Sequence, residues 1–233
     1  MSRSKFLMVA AVAAFAALVA PATSKAGFVV HITDGTTTYD VTPAGNDYAN
    51  TFSFTGLSVK LTLTSNSPGA DGIGQLSQIS TEVKASGAVT ARNITIKVIS
   101  DGFALGKNQG DLNTTLSSTK LNGTGSSVKA EGYTLIDGVK VTGSDVKITS
   151  AAGGFSPNDQ TGISLGNTFT LGNQLTLHLA ASTGGEREIA NATLSSTVTA
   201  TPAPAGLVML ATALPFAGFL RRRLRKSEVA TVA

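Results

Sequence analysis

The sequence predicts an all-β, sandwich-like ectodomain flanked by two terminal segments of different character. Three observations lead there. Apolar and polar residues alternate with period two in segment after segment, the pattern of a strand with one buried face. Turn pairs containing Gly punctuate those segments about every ten residues, as short antiparallel strands require. Aromatic residues make up only 6% of the chain, Trp is absent and Gly numbers 25, a composition suited to short strands and turns more than to packed helices. A chain of 233 residues has room for one domain with a sizeable core, or two small ones.

The first segment, residues 1–26, has three zones. Arg3 and Lys5 make a positive start, residues 6–20 form an apolar run, and Pro21 opens a polar stretch that ends in Ser24, Lys25 and Ala26. Small residues at Ser24 and Ala26 suit the pockets of a signal peptidase, which places the cut before Gly27. The apolar run is 15 residues long, short of the roughly 20 of a spanning anchor. An uncleaved N-terminal anchor is the rival reading.

The ectodomain is expected over residues 27–200. Candidate strands come in order at 28–33, 37–42, 57–63, 77–84, 94–98, 128–135, 139–141, 146–148, 169–171, 175–179 and 194–198. Leu57, Val59, Leu61 and Leu63 share one face, as do Ile94, Ile96 and Val98. Gly172-Asn173, between Leu171 and Leu175, reads as a two-residue turn or a bulge. Turn signals stand at Asp34-Gly35, Asp71-Gly72, Asp101-Gly102, Asn122-Gly123, Asp137-Gly138, Gly153-Gly154 and Gly184-Gly185. No stretch here carries a convincing amphipathic helix. A transmembrane β-barrel needs aromatic girdles, which three Tyr and no Trp cannot build.

Residues 201–233 change character again. Pro202, Ala203 and Pro204 break the preceding strand, since proline lacks an N–H and fixes φ. An apolar run at residues 205–220 follows, then a basic cluster at residues 221–226. The run can enter a membrane as a short helix, with the arginines snorkelling to lengthen it. Positive charge beside a span resists translocation, so the ectodomain is expected outside.

A Pro-x-Pro motif, one apolar helix and an Arg cluster at the C-terminal end resemble the PEP-CTERM sorting signal. The residues that carry the resemblance are Pro202, Ala203 and Pro204, then residues 207–220, then Arg221, Arg222 and Arg223. Ala203 stands where the family usually carries Glu, a form similar to a planctomycete-type variant, and residues 227–233 trail beyond the basic run. The resemblance implies recognition by an exosortase, a membrane-embedded cysteine peptidase, and an association with exopolysaccharide. It covers none of the ectodomain. A plain C-terminal anchor is the alternative.

Charge excludes one class of partner. The chain carries a formal +4, but the excess sits at its two ends. Residues 27–200 hold ten basic and thirteen acidic side chains, so a nucleic-acid-binding reading loses its support. With no cysteine, thiol catalysis, thiolate-bound zinc and iron–sulfur clusters are out.

Few residues suit catalysis. His31 and His178 alternate with apolar neighbours, which sets both on solvent faces. No Gly-x-Ser-x-Gly elbow is present, and Glu82, Glu131, Glu186 and Glu188 sit in alternating strands or polar turns. Calcium would find its oxygen-rich loops at residues 101–111 and 156–162, but neither has EF-hand spacing. Asn-x-Ser/Thr sites at Asn93, Asn113, Asn122 and Asn191 are what a Thr-rich chain produces by chance. The expectation is therefore a non-catalytic surface or matrix protein without a cofactor, exported and either membrane-anchored or released. A carbohydrate-binding or adhesive module with Tyr39, Tyr48 or Tyr133 as stacking platforms is the alternative, and a secreted hydrolase a further one.

Overall fold

The computed structural model describes residues 27–122, 125–148, 154–182 and 187–201. The expected signal-peptide and sorting segments, with Ser24, Ala26, Pro202–Pro204 and Arg221–Arg223, lie outside these residues.

Twelve strands form two six-stranded sheets, and every pairing is antiparallel. The strands are β1 (Phe28–Thr33), β2 (Thr38–Val41), β3 (Asp47–Phe54), β4 (Leu57–Ser65), β5 (Ile73–Ala85), β6 (Arg92–Phe103), β7 (Gln109–Leu121), β8 (Ser127–Ile136), β9 (Val139–Ile148), β10 (Gly154–Ser164), β11 (Phe169–Leu179) and β12 (Arg187–Ala200). The first sheet runs β2-β1-β6-β11-β8-β9 and the second β10-β7-β12-β5-β4-β3. Only β1–β2, β3–β4–β5 and β8–β9 are joined within a sheet; the other connections cross the sandwich.

The period-two pattern buries what it predicts. Val30, Ile32, Ile94, Ile96, Val98, Leu175 and Leu177 from the first sheet meet Val59, Leu61, Leu63, Leu112, Leu116 and Leu194 from the second in one core. Each such side chain contributes about 1.5–3 kcal/mol when fully buried. Phe103 and Phe169 stack with centroids 5.5 Å apart and close one end of the core. Tyr39 closes an edge, 5.4 Å from Phe52 and 5.3 Å from Phe54.

Several punctuation marks turn out to lie inside strands. Gly172 and Asn173 belong to the continuous strand β11. The bulge lies one step earlier, between Phe169 and Leu171, where Asp101-Gly102 adds a residue to β6. Gly102, with φ 79°, supplies the backbone that such a bulge needs. Asp137-Gly138 does form the β8–β9 turn, both residues at positive φ (51° and 77°), as a two-residue hairpin loop requires.

Candidate functional site

The histidines come first. His31 Nδ1 lies 2.6 Å from Asp40 Oδ1, and His178 Nδ1 lies 2.6 Å from Asn93 Oδ1. Both sit on the outer face of the first sheet. His31 pairs with Lys97 and His178 with Asn93 across β6. Four residues of strand, about 13 Å, therefore separate the two ranks, and the histidines do not meet.

The acids are held by lysines. Glu82 pairs with Lys84 at 2.9 Å, Glu188 with Lys120 at 3.5 Å and Glu131 with Lys140; Glu186 lies outside the described residues. The two oxygen-rich segments expected as loops are largely strand: residues 156–162 lie inside β10 and residues 101–111 run from the end of β6 into β7. They meet where Asp111 Oδ1 accepts the Gly162 N–H at 2.9 Å. Its other oxygen accepts the Thr201 hydroxyl at 3.4 Å. Asp111 thus holds the bulge in β10 and the end of β12. Among the described residues no group of three His, Asp or Glu side chains could hold a metal.

Tyr133 is buried, and Tyr39 and Tyr48 are half-buried. Tyr39 donates to the Ser53 carbonyl at 2.5 Å and packs on Phe52 and Phe54. Tyr48 lies against the core. Tyr133 lies across Gly172, where an added Cβ would sit 2.2 Å from the ring, and Lys140 Nζ stands 5.4 Å from the ring centroid. Burial pushes the Tyr133 phenol pKa up. The rings of Phe28, Phe52, Phe54, Phe103 and Phe169 are buried, and those of Tyr39 and Tyr48 are half-buried against the core.

The outer face of the second sheet presents a different chemistry. Register aligns Thr115, Ser195, Ser77 and Thr64 in one rank across β7, β12, β5 and β4, and Ser77 and Ser195 are hydrogen-bonded at 3.0 Å. Asn113, Thr197 and Gln75 form the next rank, and Ser117 pairs with Thr193 on the other side. Lys120, Asn191, Glu82 and Lys60 bound the field at one end, and Asp111 at the other. Between them these four strands carry hydroxyls and amides without charge. The signal was present in the sequence: Asn113, Thr115 and Ser117, and Thr193, Ser195 and Thr197, recur at period two. Reading for apolar periodicity passes over it.

No protein-family model matches the sequence, and no curated protein matches it. Solved structures superpose on it loosely. The enzymatically active domain of bacteriophage CBA120 tailspike protein 4 is 10% identical over 66% of this chain, with a TM-score of 0.32. This chain spans only 18% of that one. The mannan-recognising carbohydrate-binding module TmCBM27 is 12% identical, with 67% of this chain and 90% of that one covered and a TM-score of 0.32. The CBM22-2 xylan-binding domain of Paenibacillus barcinonensis Xyn10C is 7% identical, with 64% and 94% covered and a TM-score of 0.28. Superpositions this loose carry neither ligand nor activity across.

Proposed function

We propose that this chain is a non-catalytic exported protein of the cell surface or extracellular matrix. In this reading its sandwich holds a neutral, hydroxyl-rich polysaccharide against the outer face of the second sheet. The observation that carries it is the uncharged field of hydroxyls and amides on β4, β5, β7 and β12. In-register side chains repeat at the strand spacing of about 4.8 Å, so an extended polyhydroxyl chain lying across the strands meets a donor or acceptor at each step. In this reading recognition works mainly through hydrogen bonds. Each exchanges with water and nets about 0.5–1.5 kcal/mol, so affinity is weak per sugar and grows with chain length.

Export and sorting belong to the same proposal. The three-zone segment ending at Ala26 supports removal by signal peptidase before Gly27. Pro202, Ala203, Pro204, the apolar run and Arg221–Arg223 support handling by an exosortase-type peptidase, whose association with exopolysaccharide agrees with the ligand class.

The test is calorimetric titration of the detergent-solubilised chain with neutral and acidic polysaccharides of graded length. Neutral chains should bind, and Ser195→Arg, at the centre of the field, should weaken binding at least tenfold. Unchanged binding by that variant, or preference for acidic chains, would count against this face.

A further inference from the structure

Among the side chains whose exposure the structure describes, the large hydrophobics left in solvent are gathered at one end of the sandwich. Val29 is 49% exposed, Ile73 39%, Val139 67% and Val141 43%. Each lies within the first three residues of its strand, β1, β5 or β9. Those starts share one rim of the sandwich. Phe28 pairs with Ser100 near the end of β6, and Phe103 at that end pairs with Phe169 at the start of β11. Thr170 pairs with Leu135 at the end of β8, from which the Asp137-Gly138 turn leads into Val139. In the second sheet Ile73 pairs with Thr199 at the end of β12. Ser65 and Ser100, hydrogen-bonded at 2.8 Å, tie the two sheets together at this rim.

Among the side chains whose exposure the structure describes, none on the opposite rim, which holds the Asp34 and Gly56 turns, is a large exposed hydrophobic. Single apolar residues in solvent are ordinary; this one-sided distribution asks for an occupant.

The course of the chain names one. Gly27 bridges Ala44 at the apolar rim. Thr201 ends there too, its N–H bonded to the Gln109 carbonyl at 3.0 Å. Only Pro202, Ala203 and Pro204 separate Thr201 from the apolar run at residues 205–220. The four Cα steps from Thr201 to Ala205 span at most about 14 Å. A bilayer that takes up residues 205–220 therefore lies within that distance of Thr201.

We infer that this rim is a membrane-facing surface, with Ile73 and Val139 resting in the headgroup region of the bilayer that holds the tail. The inference rests on the proposed membrane tail. Asp71, Asp101 and Asp137 are exposed on the same rim and outnumber the exposed Lys107 and Lys140 there, so anionic headgroups would repel it. The contact is apolar, suits a zwitterionic surface and is insensitive to salt.

Because the chain has no cysteine, single-cysteine labels report cleanly. Ile73→Cys and Val139→Cys mark the apolar rim, and Thr55→Cys and Ser86→Cys the opposite one. Each full-length variant is labelled with a polarity-sensitive fluorophore and reconstituted into phosphatidylcholine vesicles that carry a headgroup-depth quencher. Rim labels should be blue-shifted and quenched severalfold more than the distal pair, at low and high salt alike. Equal quenching at both ends, in protein that floats with the vesicles, overturns the inference and leaves the tail reading intact. Protein that does not float overturns both.

Discussion

Asn173 occupies a position that the apolar pattern of β11 would give to leucine. It lies at 0% exposure between Leu171 and Leu175, in the middle of the core. Its amide donates to the Leu76 carbonyl of the other sheet at 3.2 Å, and its oxygen accepts the Ser196 hydroxyl at 2.5 Å. Gly132 beside it leaves the room, since an added Cβ there would stand 2.1 Å from Ser196 Oγ and 2.2 Å from Thr114 Oγ1. A buried polar group holds its place only when paired, and this one ties the two sheets in a single register. Asn173→Ala should therefore destabilise the fold by about 1–3 kcal/mol, through loss of both cross-sheet hydrogen bonds, with the Ser196 hydroxyl keeping only its long contact of 3.4 Å to Thr114 Oγ1. Thr134 is the converse case, a buried hydroxyl without a partner. Thr134→Val removes that group at nearly equal shape, and urea unfolding should show a neutral or stabilising change. A marked loss of stability with Thr134→Val would instead reveal a bridging buried water.

The β1–β2 hairpin shows how one side chain can hold an element. Asp34 Oδ1 accepts the N–H groups of Thr36 at 2.9 Å and Thr37 at 2.7 Å, while Oδ2 takes Arg92 from β6 at 3.1 Å. Desolvation pushes the Asp34 pKa up, but the Thr37 and Thr36 N–H groups and Arg92 outweigh it and hold the carboxyl below its ordinary 3.8. A depressed folded-state pKa means that the unfolded chain binds the proton first. The stabilisation is therefore complete above the ordinary value and is lost as the pH falls below 3.8. Asp34→Ala should be less stable than the parent at pH 7, and the two should converge in acid; a gap that persists at pH 2 would mean that packing, not charge, sets the difference. Asp34-Gly35 was legible in the sequence, as were β1, β4 and β6, because apolar alternation and turn chemistry agree there. β3, β7 and β10 were not. β3 buries strongly only Phe52 and Phe54 at its end. β7 turns Thr114 and Ser118 inward, which blurs its alternation. β10 carries Pro157 and Gly162, residues of loops, and holds an edge where proline costs no central ladder bond. The hydroxyl field was missed for a related reason: it is a pattern of polar residues on the face that hydrophobic periodicity leaves blank.

At the scale of the whole molecule, the two sheets set where proteolysis can act. β12 pairs with β7 through Ala200, and Thr201 is still held to Gln109 and Asp111. A peptidase needs backbone free of ladder bonds, and the described ladder holds the chain through Ala200 and Thr201. At the other end Gly27 bridges Ala44, and the Phe28 N–H bonds the Pro43 carbonyl at 3.1 Å, so a cut before Gly27 leaves no unpaired overhang. The proposed cuts therefore fall just outside the paired backbone at both ends. If the proposed sorting is right, intact mass of the protein recovered from the native cell surface and medium should correspond to a chain that starts at Gly27 and ends between Thr201 and Ala205. Recovery only from membranes, with residues 207–233 still present, would remove the peptidase from the proposal and leave an anchored sandwich whose apolar rim stays against the bilayer for the life of the protein. A mass that ends before Ala200 would contradict the protection that β12 gives, because such a cut requires the central strand of the second sheet to open first.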